Sequence, residues 1–171
     1  MKPRRILLLA LVAVSVAALG AASRIDFAPV LVWNASASAP IGLYRIDDRP
    51  PEIGDLVLVQ VGAEFEEFIT QREYLPPEIP LLKRVAARSG AKICREDEAV
   101  LIDKNHVADA LLFDSRGRKL PVWSGCFVLQ SDEMFLLNTP QKSLDGRYFG
   151  ATKLNDVIGV AVPVWVRSEA Q

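Results

Sequence analysis

An uncharged run from Ile6 to Ala22, almost entirely Leu, Val and Ala, constrains this chain more than any other feature. A segment that is apolar all round, with no polar face, fits a helix in a bilayer better than one lying on a water-exposed surface. Lys2, Arg4 and Arg5 precede it, the charge pattern of a segment inserted with its N-terminus in the cytoplasm. The run sits at the short limit for a span, and Phe27 to Trp33 extend its apolar contact at the far interface. A cleaved secretory signal is the rival reading, with Ala18-Leu19-Gly20 or Gly20-Ala21-Ala22 as the cleavage site. Both readings export the rest of the chain, and the retained anchor is the one carried forward.

A length of 171 residues leaves room for that anchor, residues 1–23, and one exported domain, residues 24–171. The positive mean hydropathy (+0.19) reflects the N-terminus more than an unusual core. Net charge is −1, and the cationic tip leaves the exported part more acidic still. It carries no basic stripe, which argues against nucleic acid as a partner. Cys94 and Cys126 both lie in the exported part, where an even number of thiols reads most simply as a disulfide. Such a bridge closes a loop of roughly 33 residues and is worth about 3–4 kcal/mol in the loop-entropy model. Two buried free thiols are the alternative. One histidine, His106, and two distant cysteines make no convincing metal site, and no phosphate-binding or dinucleotide fingerprint is present.

Beyond the anchor, proline and small residues dominate as far as Pro40. Asp55 to Val61 is rich in β-branched residues and follows a Glu-Ile-Gly-Asp turn signal, so it reads as a strand. Leu81 to Ala87, Ala91 to Glu96, Ala99 to Asp103 and His106 to Phe113 read likewise, with a loop over 114–118. Cys126 to Gln130 and Met134 to Asn138 flank a tight turn, and Val157 to Val166 is a long final strand. The one helical pattern is Ala63 to Tyr74, ending before Pro76-Pro77. The fold class is therefore mainly β, antiparallel, with one short helix and an N-terminal transmembrane helix.

Two segments carry chemistry. Ser38 precedes Ala39-Pro40 and Gly42; proline stiffens the loop and glycine allows close backbone approach. Such a loop can hold a hydroxyl and neighbouring amides rigidly, as acyl transfer requires; a small-residue linker leaving the membrane is the plain alternative. In a strand, Lys83 shares one face with Leu81 and Val85. A lysine on a buried face loses its charge more readily, and the neutral amine can take a proton from a serine hydroxyl. The alternative is an edge-strand lysine reaching solvent. A third segment, residues 143–150, contains Asp145 and Arg147, close enough to pair; on composition alone it is a turn. A Ser-His-Asp triad has only His106 to use.

Asn34 to Tyr44, Leu82-Lys83-Arg84-Val85 and Ser143 to Gly150, in this order behind an N-terminal anchor, resemble the signal peptidase I family, within it the conjugative-transfer (TraF-type) peptidases. The resemblance runs from the anchor to the end. It implies a signal-peptidase-like antiparallel β catalytic core with a small β insertion around 89–133, containing both cysteines. It implies Ser38 as nucleophile and Lys83 as general base. Ser36, with the Ser38 amide, would form the oxyanion hole, and Asp145 and Arg147 would support the base and its loop. No cofactor or metal is implied.

Two departures from general signal peptidases are visible. A proline follows Ser38 by two residues, where that group has Ser-Met and a later proline. Leu136-Leu137-Asn138-Thr139-Pro140 also stands where that group carries Gly-Asp-Asn-Arg. Both fit the TraF subgroup and point to a dedicated precursor, such as a conjugative pilin, with cyclisation of the product in some systems. The expectation is a serine endopeptidase in a bacterial inner membrane, its catalytic domain in the periplasm and its partner a precursor protein, prepilin or secretory. The competing readings are a general signal peptidase I and a non-catalytic anchored β scaffold of pilus assembly.

Overall fold

The computed structural model describes residues 3–22 and 30–167. Lys2 and the 27–29 part of the expected interfacial extension lie outside the described residues. Helix α1, Pro3–Ala22, is long and apolar enough to cross a membrane, and its spanning stretch, Pro3–Gly20, is not buried among the described residues.

The remainder is mainly β. The strands are β1 (Leu31–Asn34), β2 (Gly42–Asp47), β3 (Leu56–Val59), β4 (Leu81–Arg88), β5 (Lys92–Glu96), β6 (Ala99–Ile102), β7 (Asn105–Asp109), β8 (Gly125–Val128), β9 (Glu133–Leu136), β10 (Ala151–Lys153) and β11 (Val157–Val166). They form a seven-stranded sheet, β1-β2-β11-β3-β4-β9-β10, and a four-stranded sheet, β7-β6-β5-β8. Every strand pairing is antiparallel. Helix α2 (Ala63–Gln71) follows β3, and a one-turn helix α3 (Gly146–Phe149) precedes β10.

The core follows the sequence pattern. All four residues of β3, Leu-Val-Leu-Val, are buried because both faces of that central strand are covered. Phe65 and Ile69 of α2, four apart on one face, pack into the same cluster as Val57, Val59 and Leu81. A second, smaller cluster of Ala39, Tyr44, Leu56, Leu82 and Ala161 lies under the Ser38 loop. Hence the loop between β1 and β2 rests on strands β2, β3, β4 and β11.

The sequence reading differs from the structure in three places. The proline- and small-residue-rich stretch before Pro40 contains β1, and β2 follows directly after it. The strand expected over 106–113 is β7 alone, with only an isolated bridge between Phe113 and Lys119 beyond it. Helix α3 and a 3-10 turn at Leu154–Asp156 add to the single expected short helix, and β10 was not foreseen. Gly42, by contrast, serves the close backbone approach expected of it. A Cβ there would lie 2.2 Å from the Trp165 carbonyl oxygen and 2.7 Å from the Val166 Cα, so the tight pairing of β2 with β11 admits no side chain.

Candidate active site

The Ser38 loop is held by a single buried amide. Asn34, the last residue of β1, directs Nδ2 at the carbonyl oxygens of Ser36 (2.9 Å), Ala39 (3.1 Å) and Pro40 (3.0 Å), and its Oδ1 accepts from the Ser36 amide at 3.1 Å. The Tyr44 hydroxyl donates to the Pro40 carbonyl at 2.6 Å. Ala39 is buried in the small cluster below. These contacts, with Pro40, leave Ser38 at a turn whose backbone is tied on both sides. The Ser36 and Ser38 hydroxyls are 2.9 Å apart, and the Ser38 amide donates to Ser36 Oγ at 3.2 Å. A hydroxyl and an amide thus already meet beside Ser38, the pairing that an oxyanion would recruit.

Lys83 lies in the middle of β4, opposite Val57 of β3. It is 3 % exposed, whereas Arg84 beside it reaches solvent and donates to the Gly54 carbonyl. Strand alternation turns one cation inward and the next outward. No carboxylate lies within ion-pair distance of Lys83 among the described residues; its Nζ donates to Ser143 Oγ at 3.1 Å. Burial pushes its pKa down to about 8; the Asp145 charge works against that fall and the Arg147 charge adds to it. Of the two readings of this lysine, the solvent-reaching one is excluded.

Asp145 and Arg147 form a buried pair, 0 % and 1 % exposed. Arg147 donates to both carboxylate oxygens, Nε to Oδ1 at 2.9 Å and Nη2 to Oδ2 at 2.8 Å, the planar fork geometry that arginine suits. Asp145 also caps α3 by accepting from the Arg147 amide, and it accepts from the Asn138 amide at 3.0 Å. Arg147 spends its remaining donors on the carbonyls of Asn138, Pro140 and Gln141. The pair therefore ties α3 to the β9–α3 connection that carries Ser143.

Three side chains that the sequence reading did not single out belong to this site. Ser143 is the hydrogen-bond partner of Lys83. Asn138 grips β4 on either side of Lys83, donating to the Leu82 carbonyl at 3.1 Å and accepting from the Arg84 amide at 2.9 Å. Asn34 is the staple of the serine loop. Asn34 and Ser143 lie in segments quoted for the resemblance and Asn138 in one quoted as a departure from general signal peptidases, but only the fold reveals their partners.

Ser36, Ser38, Lys83 and Ser143 line one cleft of about 730 Å³, together with apolar residues that include Leu31, Trp33, Leu58, Leu75, Ile79 and Leu82. Asp145 and Arg147 are buried and do not line it. Cys94 of β5 and Cys126 of β8 are register partners joined by a disulfide in the four-stranded sheet. His106 is half exposed on β7, hydrogen-bonded to Asp109, and lines no part of the cleft, so a triad through it is unsupported.

Comparison with known proteins identifies the family. The family model described as signal peptidase, peptidase S26, matches residues 4–166. The chain is 33% identical over 171 residues to a probable conjugal transfer protein TraF of Sinorhizobium fredii, covering 92% of this chain and 88% of that protein. It is 33% identical over 144 residues to a conjugal transfer protein TraF of Agrobacterium fabrum, and 31% over 144 residues to a plasmid transfer protein TraF of Escherichia coli; each covers 77% of this chain and 80% of the relative. A crystal structure of a signal peptidase I from Enterococcus faecalis aligns with TM-score 0.38 and 17% identity, over 66% of this chain and 97% of that one. A match across nearly the whole length, together with these relatives, shows that the chain belongs to the signal peptidase family, peptidase S26.

Proposed function

We propose that this chain is a membrane-anchored serine endopeptidase in which Lys83 activates Ser38, and that it removes a signal or leader segment from an exported precursor. The observation that carries the reading is the shared cleft. A serine on a stapled turn and a lysine 3 % exposed, with no carboxylate at ion-pair distance among the described residues, line the same walls. With a pKa of about 8, roughly one Lys83 in ten is neutral at pH 7, enough to serve as a base.

In the proposed reaction, neutral Lys83 takes the Ser38 hydroxyl proton as Oγ attacks the scissile carbonyl carbon. The Ser38 amide and the Ser36 hydroxyl, released from each other, donate to the oxyanion. Lys83 then gives the proton to the leaving amine as the peptide bond breaks, and an acyl ester remains on Ser38. Water, or an amine of the substrate, attacks that ester and frees Ser38. Ser143 holds Nζ in place through these steps. Asp145 and Arg147 keep the Ser143 loop and β4 in register through Asn138. The apolar cleft walls suit small apolar residues before the cut.

In this reading α1 is retained as the anchor, with residues 24–171 as the peptidase domain in the periplasm of a bacterium and the segment around 89–133 as its inserted subdomain. The relatives' names, conjugal and plasmid transfer protein TraF, favour a dedicated conjugative substrate such as a pilin precursor. The test is cleavage in membranes, wild type and Ser38→Ala each paired with a conjugative prepilin and with an ordinary secretory precursor. Shortening of the prepilin alone, lost in Ser38→Ala, is the expected result. Cleavage of the secretory precursor would make the protein a general signal peptidase, and cleavage that survives in Ser38→Ala would leave it a scaffold beside another protease.

A further inference from the structure

The most anomalous side chain outside the cleft is Arg95. It lies in β5, next to Cys94, and is 1 % exposed. No carboxylate pairs with it among the described residues. Its partners are backbone carbonyls: Nε donates to Asp97 at 3.0 Å, and Nη1 to Arg147 at 2.8 Å and to Pro121 at 3.4 Å. Its Nη2 is buried with no hydrogen-bond partner among the described residues. A guanidinium in such a place is costly, and replacing a buried ion by an apolar side chain of similar volume is often neutral or stabilising. Stability is therefore a poor reason for this residue to be an arginine.

What Arg95 touches supplies a better one. Its shortest hydrogen bond reaches the carbonyl of Arg147, in the middle of α3. The residues on either side are gripped from the same direction. Trp123 Nε1 donates to the Gly146 carbonyl at 3.2 Å, and the Leu111 amide donates to the Tyr148 hydroxyl at 3.1 Å. Three consecutive residues of α3 are thus held by the four-stranded sheet and its β7–β8 connection. Immediately before them stands Asp145, which with Arg147 forms the charged pair acting on Lys83.

We propose that Arg95 is a positioning residue for the peptidase reaction: from the four-stranded sheet it fixes the Arg147 backbone, and so the Asp145–Arg147 pair, against Lys83. This rests on Lys83 being the base of the proposed reaction. It gives the sheet of β5 to β8 a role in catalysis without contact with substrate, and it makes Lys83 dependent on a strand that lies outside the seven-stranded sheet.

The test compares wild type, Arg95→Met, Arg95→Lys and Val100→Ala in the full membrane-bound chain. Val100 is the buried register partner of Arg95 on β6 and, being apolar, donates no hydrogen bond to α3, so its truncation reports loss of packing beside Arg95 with the donor kept. For Arg95→Met, kcat is expected to fall about tenfold with KM within about twofold, the mark of lost transition-state positioning. Its kcat–pH midpoint is expected to move to lower pH, because Asp145 is the neighbouring charge that holds Lys83 protonated. Arg95→Lys, which keeps one donor for the Arg147 carbonyl, is expected to recover part of both, and Val100→Ala to lower the melting temperature with kcat and midpoint unchanged. The proposal is overturned if Arg95→Met keeps the wild-type kcat and midpoint, or if Val100→Ala shifts them equally. Failure of the underlying reading looks different: wild type would then show no titration near pH 8, and Lys83→Ala would still cleave.

Discussion

At the scale of single residues, the proposed chemistry turns on one lysine whose charge the fold disfavours. In the proposed reaction Lys83 acts as the neutral amine, so kcat is expected to rise about tenfold per pH unit in the acid range and to level off above a midpoint near 8. A pH–rate profile of the anchored protein checks this. The same shift has a stability consequence. The folded-state pKa lies below that of the unfolded chain, so at neutral pH both states are protonated and the buried ammonium destabilises the fold by about 3 kcal/mol. Between about 8 and 10.5 the unfolded chain binds a proton that the folded one does not, so stability rises with pH. Lys83→Met is therefore expected to stabilise the protein at pH 7 by about 2 kcal/mol, after loss of the bond to Ser143, and to gain little at pH 10.5. Urea midpoints at the two pH values measure it. Ser143→Ala, which removes the hydrogen bond on Nζ, is expected to lower kcat about tenfold with the fold intact.

Ser38 and Lys83 could be picked out as candidates in the sequence because each sits in a distinctive local context. A serine before Ala-Pro sits on a stiffened turn, and a lysine between Leu81-Leu82 and Val85 must either be buried or snorkel. Ser143, Asn138 and Asn34 do not announce themselves. Serine and asparagine in loops are usual as turn residues, and the bond from Lys83 to Ser143 spans 60 positions of chain. Nothing short of the strand pairings brings them together.

At the scale of elements, the site depends on two places where backbone approaches backbone too closely for a side chain. A Cβ on Gly146 would lie 2.7 Å from the Leu136 carbonyl oxygen and 2.7 Å from the Phe135 ring. Gly146→Ala is expected to push α3 away from β9, costing about 2–3 kcal/mol and carrying Asp145 and Arg147 with it. A thermal melt and a cleavage rate should fall together. Gly42→Ala meets main chain of β11, which cannot swing aside, and should disrupt the β2–β11 pairing at similar or greater cost. The strands easiest to read were β3 and β11, with dense β-branched runs, and β4, with Leu81-Leu82 and Val85 around its cations. β1 escaped the reading because its four residues lie in a stretch dominated by proline and small residues. α3 escaped because Asp-Gly in Leu144-Asp145-Gly146-Arg147 is a turn signal, and one helical turn leaves no periodicity to detect.

At the scale of the whole molecule, an exposed apolar helix precedes a seven-stranded sheet bearing the cleft, and a disulfide-bridged four-stranded sheet is inserted in the chain between its strands β4 and β9. The mainly antiparallel character was legible because turn signals recur every few residues; the order of the strands was not, since β11 pairs between β2 and β3 from far along the chain. Reduction of Cys94–Cys126, which closes a loop with a separation of 32 residues, is expected to lower unfolding free energy by about 3–4 kcal/mol. Denaturant melts with and without reductant test that figure.

The central claim, that Ser38 and Lys83 form the reacting pair, is tested most directly by single-turnover cleavage of one prepilin by wild type, Ser38→Ala and Lys83→Ala, each shown by circular dichroism to be folded. The account expects both variants to lose about a thousandfold or more in rate. A folded Ser38→Ala or Lys83→Ala that cleaves at the wild-type rate would contradict it.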